Sequence, residues 1–400
     1  MEVLDFPAYA DYSDEYETEP YDMEEHGTEL DGFTNEDSTY YHMSDMTMAE
    51  LWRDCAGIVL VETAKNLAFM FAIAVSLFLV RLILPGVITT KMFKHFAFRI
   101  FSIMFCFSCF VERYPWRRSV LHLLIAGSGY ATLRHLYHPV SLAMLYVTVS
   151  GFIGLRVLSF SQNGRVRGLV ALTISFVGGC LCETLLDASL AHRLRGLQII
   201  FMMKVISLAF DNYIPELSVE GLAEYVAYMM LPSNCIFGPW ISMADFQKWH
   251  LAPGSRNLFS FLSHSFRLLR SLAMSVVALL ISDCFAGWLI PDLSNRWVIA
   301  YRSALSFRFS HYFICCLSES LMLLAGFPNT LVTKPSRIEM PRSLVDVVKY
   351  WNIPMRNWLR EYIFTNVRSY GSKPLALFVT YVASSLLHVR RSLCTHGILL

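Results

Sequence analysis

Apolar residues in this chain come in long, nearly unbroken runs. The clearest is LAFMFAIAVSLFLVRLIL, residues 67–84, closed by Pro85 and Gly86. Others follow near 96–111, 120–136, 139–159, 168–188, 196–210, 222–240, 269–291, 297–326 and 375–388. A helix needs about 20 mostly apolar residues to cross a bilayer. The pattern therefore predicts an all-α protein, a polytopic membrane helix bundle of about nine to eleven membrane segments. The run at 297–326 is long enough for one tilted span or two shorter pieces. Polar stretches at 241–268 and 327–345 interrupt the series. Short basic connectors join the runs: RYPWRR (113–118), SQNGRVRG (161–168) and AHRLRG (191–196). Lys and Arg in short loops favour the cytosolic side, but almost every connector carries them, so charge does not orient the chain. No internal repeat is visible, which removes the commonest sequence pointer to a secondary transporter.

Composition agrees with this pattern. The chain is 55% hydrophobic with a mean hydropathy of +0.44, and only 16% of its residues are charged. Ordinary soluble domains are richer in charge and need a polar shell that this chain lacks. The excess apolar surface is expected to face lipid, and no nucleic-acid partner is expected.

The net charge of +1 hides an asymmetry. Residues 1–50 hold 16 Asp and Glu and no Lys or Arg, half of the 32 acidic residues in the chain. Stretches such as DYSDEYETEPYDMEE are acidic, poor in aliphatic residues and aperiodic, which predicts a disordered tail over 1–50. The start has neither the basic flank nor the apolar stretch of a signal peptide, so membrane targeting is expected from the first spanning helix. Ten cysteines lie mostly in apolar runs such as FCFSCF and ICCLSE. Cys106 and Cys109 have C-x-x-C spacing but no second ligand pair nearby. The cysteines are expected to be small buried residues, with neither a disulfide framework nor a metal site.

Polar groups at membrane depth cost a few kcal/mol on insertion scales and call for a reason. Four stretches qualify. In KYWNIPMRNWLREYIF (349–364), Pro354 disfavours a helix through residue 353, which points to a broken or re-entrant element around Asn352. The alternative is an interfacial aromatic belt of Trp351, Trp358 and Tyr362. In YVASSLLHVRR (381–391), His388 ends an apolar run rich in small residues, and its imidazole suits a general base near neutral pH. The alternative is the polar edge of a helix. SNCIFGPW (233–240) reads as a helix end or a ligand-lining bend around Gly238 and Pro239. Arg308 and His311, in RSALSFRFSHYFICCLSES (302–320), are accounted for by packing.

Four stretches in order, LPSNCIFGPWIS (231–242), SALSFRFSHYF (303–313), MPRSLVDVVKYWNIPM (340–355) and YVASSLLH (381–388), resemble the membrane-bound O-acyltransferase family. The similarity runs from roughly residue 60 to His388, so the resemblance divides the chain into the tail at 1–50, a transmembrane acyltransferase domain at 51–388 and a short divergent tail at 389–400. It implies a catalytic pair of His388 and Asn352, with Asp346, Trp351 and Tyr362 near the substrate. The branch with these motifs transfers palmitoleate from acyl-CoA to a serine hydroxyl of Wnt proteins. By that resemblance the chain is expected to be a multi-pass protein-serine acyltransferase of the endoplasmic reticulum membrane, with acyl-CoA and a Wnt-type secreted protein as partners. No metal or bound cofactor is required, since acyl-CoA is a substrate with its own activated bond. His388 would take the serine proton. Asn352 would hydrogen-bond the thioester carbonyl as charge develops, or orient the imidazole. Family sequences usually carry Gly after this histidine and then a further apolar helix. Here Val389 follows, and the last 12 residues would reach ~18 Å as a helix, short of a ~30 Å hydrocarbon core. The alternative expectation is a shortened, inactive relative that binds acyl-CoA or Wnt without turnover.

Overall fold

A computed structural model describes residues 46–83, 117–136, 141–185, 188–251, 258–290, 295–328 and 330–388. Most of the predicted acidic tail, the run near 96–111, the Cys106/Cys109 pair and residues 389–400 lie outside the described residues. Among the described residues the structure is helical throughout, with no strand. Three helical stretches there are long and apolar enough to cross a membrane: Met48–Phe78, Gly164–Leu181 and Phe259–Leu289. A shorter apolar helix covers Val147–Leu158. Large side chains such as Phe259, Phe266 and Leu269 stand exposed on the third stretch, as side chains that meet lipid must.

The chain divides into two compact units. The first joins residues up to Ala64 to Val276–His311. Its leading helix, Met48–Leu51, starts from a capping box. The Thr47 hydroxyl accepts from the Glu50 N–H (3.4 Å), and the Glu50 carboxylate accepts from the Thr47 N–H (2.8 Å). A π-helical turn, Trp52–Ala56, carries the chain into the helix Gly57–Ile83. A second π-turn, Ile281–Phe285, lies between the helices Leu258–Leu280 and Ala286–Leu289. The two turns are joined by a disulfide between Cys55 and Cys284. This corrects the expectation that no cysteines pair. Around it Leu51, Ala56 and Leu280 are buried against Val59, Leu60, Phe285 and Trp288. The Trp288 indole donates to the Met46 carbonyl at 2.8 Å. By contrast Cys235, Cys315 and Cys316 are buried outside any disulfide, as the apolar setting predicts.

The second unit joins Lys65–Ser275 to Tyr312–Leu400. The helix Arg117–Leu136 lies so close to the end of Val219–Met229 that a Cβ on Gly129 would fall 1.6 Å from the Met230 carbonyl oxygen. Only glycine permits that approach, in the manner of small residues between membrane helices. The helices Gly164–Leu185 and Ala188–Phe210 pack as neighbours. Within Ala188–Phe210 the ammonium of Lys204 is fully buried. It donates to the carbonyls of Tyr228 (2.9 Å) and Met229 (3.0 Å) and to Asn234 Oδ1 (2.9 Å). Lys204 thereby satisfies carbonyls at the end of Val219–Met229 that the helix itself leaves open.

Candidate active site

The segment 231–240 is a turn, held from the helix Ala188–Phe210. Asn234 accepts from Lys204 and donates to the Pro239 carbonyl (3.2 Å), and the Trp240 indole donates to Ser207 Oγ (3.2 Å). Gly238 has φ 79°, a left-handed conformation that a residue with a Cβ rarely adopts. The turn delivers Trp240 into a cluster with Trp358, Leu359, Tyr362, Ile363 and Leu387. The Trp240 and Trp358 rings lie 5.7 and 5.8 Å from that of Tyr362.

The helix after residue 343 is broken where the proline rule predicts. Leu344–Trp351 ends at Asn352, and Ile353–Trp358 begins there with Pro354 in its first turn. Asn352 sits at φ −144°, ψ 93°, extended between the two helices. Its Oδ1 accepts the Met355 N–H at 3.0 Å, which makes it the N-cap of the second helix. A backbone N–H can only donate, so the amide orientation follows: the oxygen is committed and the NH2 is the group left to donate.

Each side of Asn352 is tied to the segment 332–334. The Ile353 N–H donates to the Val332 carbonyl (2.9 Å), while the Tyr350 carbonyl accepts from the Lys334 N–H (3.2 Å) and the Thr333 hydroxyl (3.1 Å). That segment also borders a cavity of about 830 Å³. Arg267, Arg270 and Lys334 bring three cations to its lining, with Thr330, Thr333 and Ser336, and Met274, Leu323 and Leu331 supply apolar wall. The Thr330 hydroxyl is buried without a hydrogen-bond partner among the described residues. Glu319, buried on the helix Arg296–Leu324, also reaches the lining. A cavity with this lining fits a ligand that joins a phosphate-bearing end to an apolar chain. Sequence reasoning missed it. The available signals were a carboxylate inside the apolar run ICCLSES and the two arginines three residues apart at 267 and 270.

The remaining sequence-predicted residues are spread around this centre. The rings of Trp351 and Tyr312 meet edge to face at 6.1 Å, and the Tyr312 hydroxyl donates to Glu339 at 2.7 Å. Trp358 is fully buried, with its indole donating to the Met203 carbonyl at 3.2 Å. Tyr362 is buried too, which rules out an interfacial belt for both rings. The Tyr362 hydroxyl donates to Asp211 Oδ2 (2.8 Å), beside a polar cleft of about 350 Å³ that also takes in Arg165, Asn212, Glu361 and Asn366. Burial holds the Asp211 carboxyl above the usual carboxylate range, and the bond from Tyr362 acts the other way. Asp346 lies half-buried in the first turn of Leu344–Trp351.

His388 is the last residue of the helix Lys373–His388, and its ring lies outside the described residues. Its neighbour Leu387 is buried in the cluster of Trp240, Trp358 and Tyr362, against which Met355 also packs. The end of this helix and the first turn capped by Asn352 thus share one apolar core.

Comparison with known proteins agrees with the motifs. Residues 216–397, which include Asn352, Glu319 and His388, match the sequence model of the membrane-bound O-acyltransferase family. Over 316 residues the chain is 33% identical to the mouse protein-serine O-palmitoleoyltransferase porcupine, covering 70% of this chain and 66% of the mouse protein. The protein of the same name from Anopheles gambiae is 35% identical over 312 residues, covering 69% of this chain and 62% of its own length. The human protein is 33% identical over 315 residues, with coverage of 70% and 66%. The chain spans just under two thirds of the length of these relatives. The family match and the agreement across its motifs coincide: residues 216–397 of the chain carry the sequence pattern of the membrane-bound O-acyltransferase family.

Proposed function

We propose that this protein is a membrane-bound protein-serine O-acyltransferase that moves a palmitoleoyl group from acyl-CoA to a serine of a Wnt-type secreted protein. Its setting is the endoplasmic reticulum membrane, crossed by nine to eleven segments. The observation that carries the reading is Asn352. It sits at a helix break with its oxygen committed to a cap and its NH2 left to donate, and the residues on either side of it are hydrogen-bonded to the segment 332–334, which borders a cation-lined cavity. The activity named for the three similar proteins from mouse, Anopheles gambiae and human supports the acyl group and the serine acceptor.

In this reaction His388 takes the proton from the serine hydroxyl as its oxygen attacks the thioester carbonyl carbon. Negative charge gathers on the carbonyl oxygen, and the Asn352 N–H donates to it. Collapse forms the ester and expels the CoA sulfur, which receives the proton from the imidazolium and leaves as free thiol. No metal or bound cofactor is needed, because the thioester is already activated. Arg267, Arg270 and Lys334 hold the phosphates of the donor, while Asp346, Trp351 and Tyr362 shape the substrate path.

The test is transfer of label from palmitoleoyl-CoA to a Wnt-derived serine peptide by the full chain in liposomes, with His388→Ala beside it. Label transfer by the parent and its loss in the variant support the mechanism. A variant as active as the parent overturns the role of His388. A parent that binds acyl-CoA but transfers nothing overturns the enzymatic reading in favour of a binding protein.

A further inference from the structure

Glu319 stands among apolar residues five positions before the end of the helix Arg296–Leu324, 6% exposed, where a carboxylate is costly. Two groups face it. Its Oε2 accepts from the Val332 N–H at 3.4 Å, and its Oε1 lies 3.9 Å from the guanidinium of Arg270. Val332 is 3% exposed, so its N–H needs an acceptor within the protein. The carbonyl of the same residue accepts the Ile353 N–H at 2.9 Å. Val332 is therefore held on both sides, by a side chain from Arg296–Leu324 and by the residue that follows Asn352. The carboxylate gives the buried Val332 N–H a charged, directional acceptor at the long end of hydrogen-bond distance.

We propose that Glu319 is a positioning residue for Asn352: by fixing the Val332 peptide it fixes the Ile353 N–H, and so the place from which the Asn352 amide donates. This rests on the acyltransferase reading only for its catalytic consequence; the mechanical link from Glu319 through Val332 to Ile353 stands apart from it. The chemistry required of position 319 is an acceptor at the end of two methylenes. Glutamine supplies one, whereas alanine does not and aspartate is too short.

Two arms test the link on the full chain in lipid nanodiscs. In the first, hydrogen exchange of peptides covering residues 349–356 is followed by mass spectrometry. Glu319→Ala is expected to speed exchange of the Ile353 amide at least ~10-fold, and Glu319→Gln to keep it within ~3-fold of the parent. In the second, Glu319→Ala is expected to lower kcat by ~10²-fold, the cost of a misplaced group, with KM for acyl-CoA within ~3-fold. Glu319→Gln should restore most of kcat. A role in folding alone would lower the amount of folded protein without this split or this rescue. If Glu319→Ala does not fold, Glu319→Asp takes its place with the same expectation. Exchange at Ile353 that equals the parent's in the shortened variant, or that is as fast in Glu319→Gln as in Glu319→Ala, overturns the proposal. A parent without transferase activity refutes the proposed function and leaves the exchange arm to decide the link.

Discussion

In the proposed reaction Asn352 has two tasks, one for each end of its amide, and substitutions can separate them. The oxygen caps the helix Ile353–Trp358 through the Met355 N–H at 3.0 Å, and the NH2 is the donor of the proposed reaction. Serine and aspartate keep a capping acceptor but have no amide donor. Alanine has neither. Loss of an N-cap costs about 1 kcal/mol, whereas loss of a single donor to a developing oxyanion costs 10²–10³ in kcat, about 3–4 kcal/mol. Asn352→Ser and Asn352→Asp are therefore expected to melt close to the parent and to lose ~10²-fold or more in kcat. Asn352→Ala should lose the same activity and, in addition, about 1 kcal/mol of stability. The serine variant is the cleaner comparison, because aspartate also brings a negative charge toward a developing one. The assay is single-turnover transfer from labelled palmitoleoyl-CoA in liposomes, paired with thermal melting of the same preparations followed by tryptophan fluorescence. A serine variant that retains more than about a tenth of kcat refutes the donor role. If all three variants lose stability and activity in proportion, Asn352 is a cap and nothing more.

Two further outcomes follow from the fold. Arg270→Gln and Lys334→Gln each remove a cation from the cavity lining and are expected to raise KM for acyl-CoA about tenfold with kcat little changed, the worth of one charge-assisted hydrogen bond. An acyl-pantetheine donor, which lacks the adenosine phosphates, should be less sensitive, and equal sensitivity would remove the phosphates from the account. Cys284→Ser opens the link to Cys55, which closes a loop of 229 residues. The expected loss is about 2–4 kcal/mol in the first unit, read as a lower melting temperature, and the linked pair of peptides should appear in the non-reduced parent alone.

The sequence and the structure part company for physical reasons that particular residues illustrate. The helix break at Asn352 was legible because a proline ring acts on its immediate neighbour, and that restriction is local. The long apolar runs were legible for the same kind of reason, since their length alone carries the inference. Trp358 and Tyr362 were ambiguous, because an amphipathic ring suits a headgroup layer as well as a core with a hydrogen-bond partner. Their partners, Met203 and Asp211, lie 155 and 151 residues away. The disulfide was missed because no local pattern announces a partner 229 residues distant. Glu319 stood in plain view as a carboxylate in an apolar run, but its meaning lay in Val332 and Ile353, which only folding brings beside it.

The Cys55–Cys284 bond also constrains how the polypeptide is threaded. Two thiols can join only from the same compartment, and a lasting bond between them belongs to an oxidising one. The stretch from residue 55 to residue 284 must therefore traverse the bilayer an even number of times, and the π-turns at both of its ends face one and the same side. Where the scattered lysines and arginines say nothing of orientation, a single pair of sulfur atoms thus ties the sidedness of one end of this stretch to that of the other.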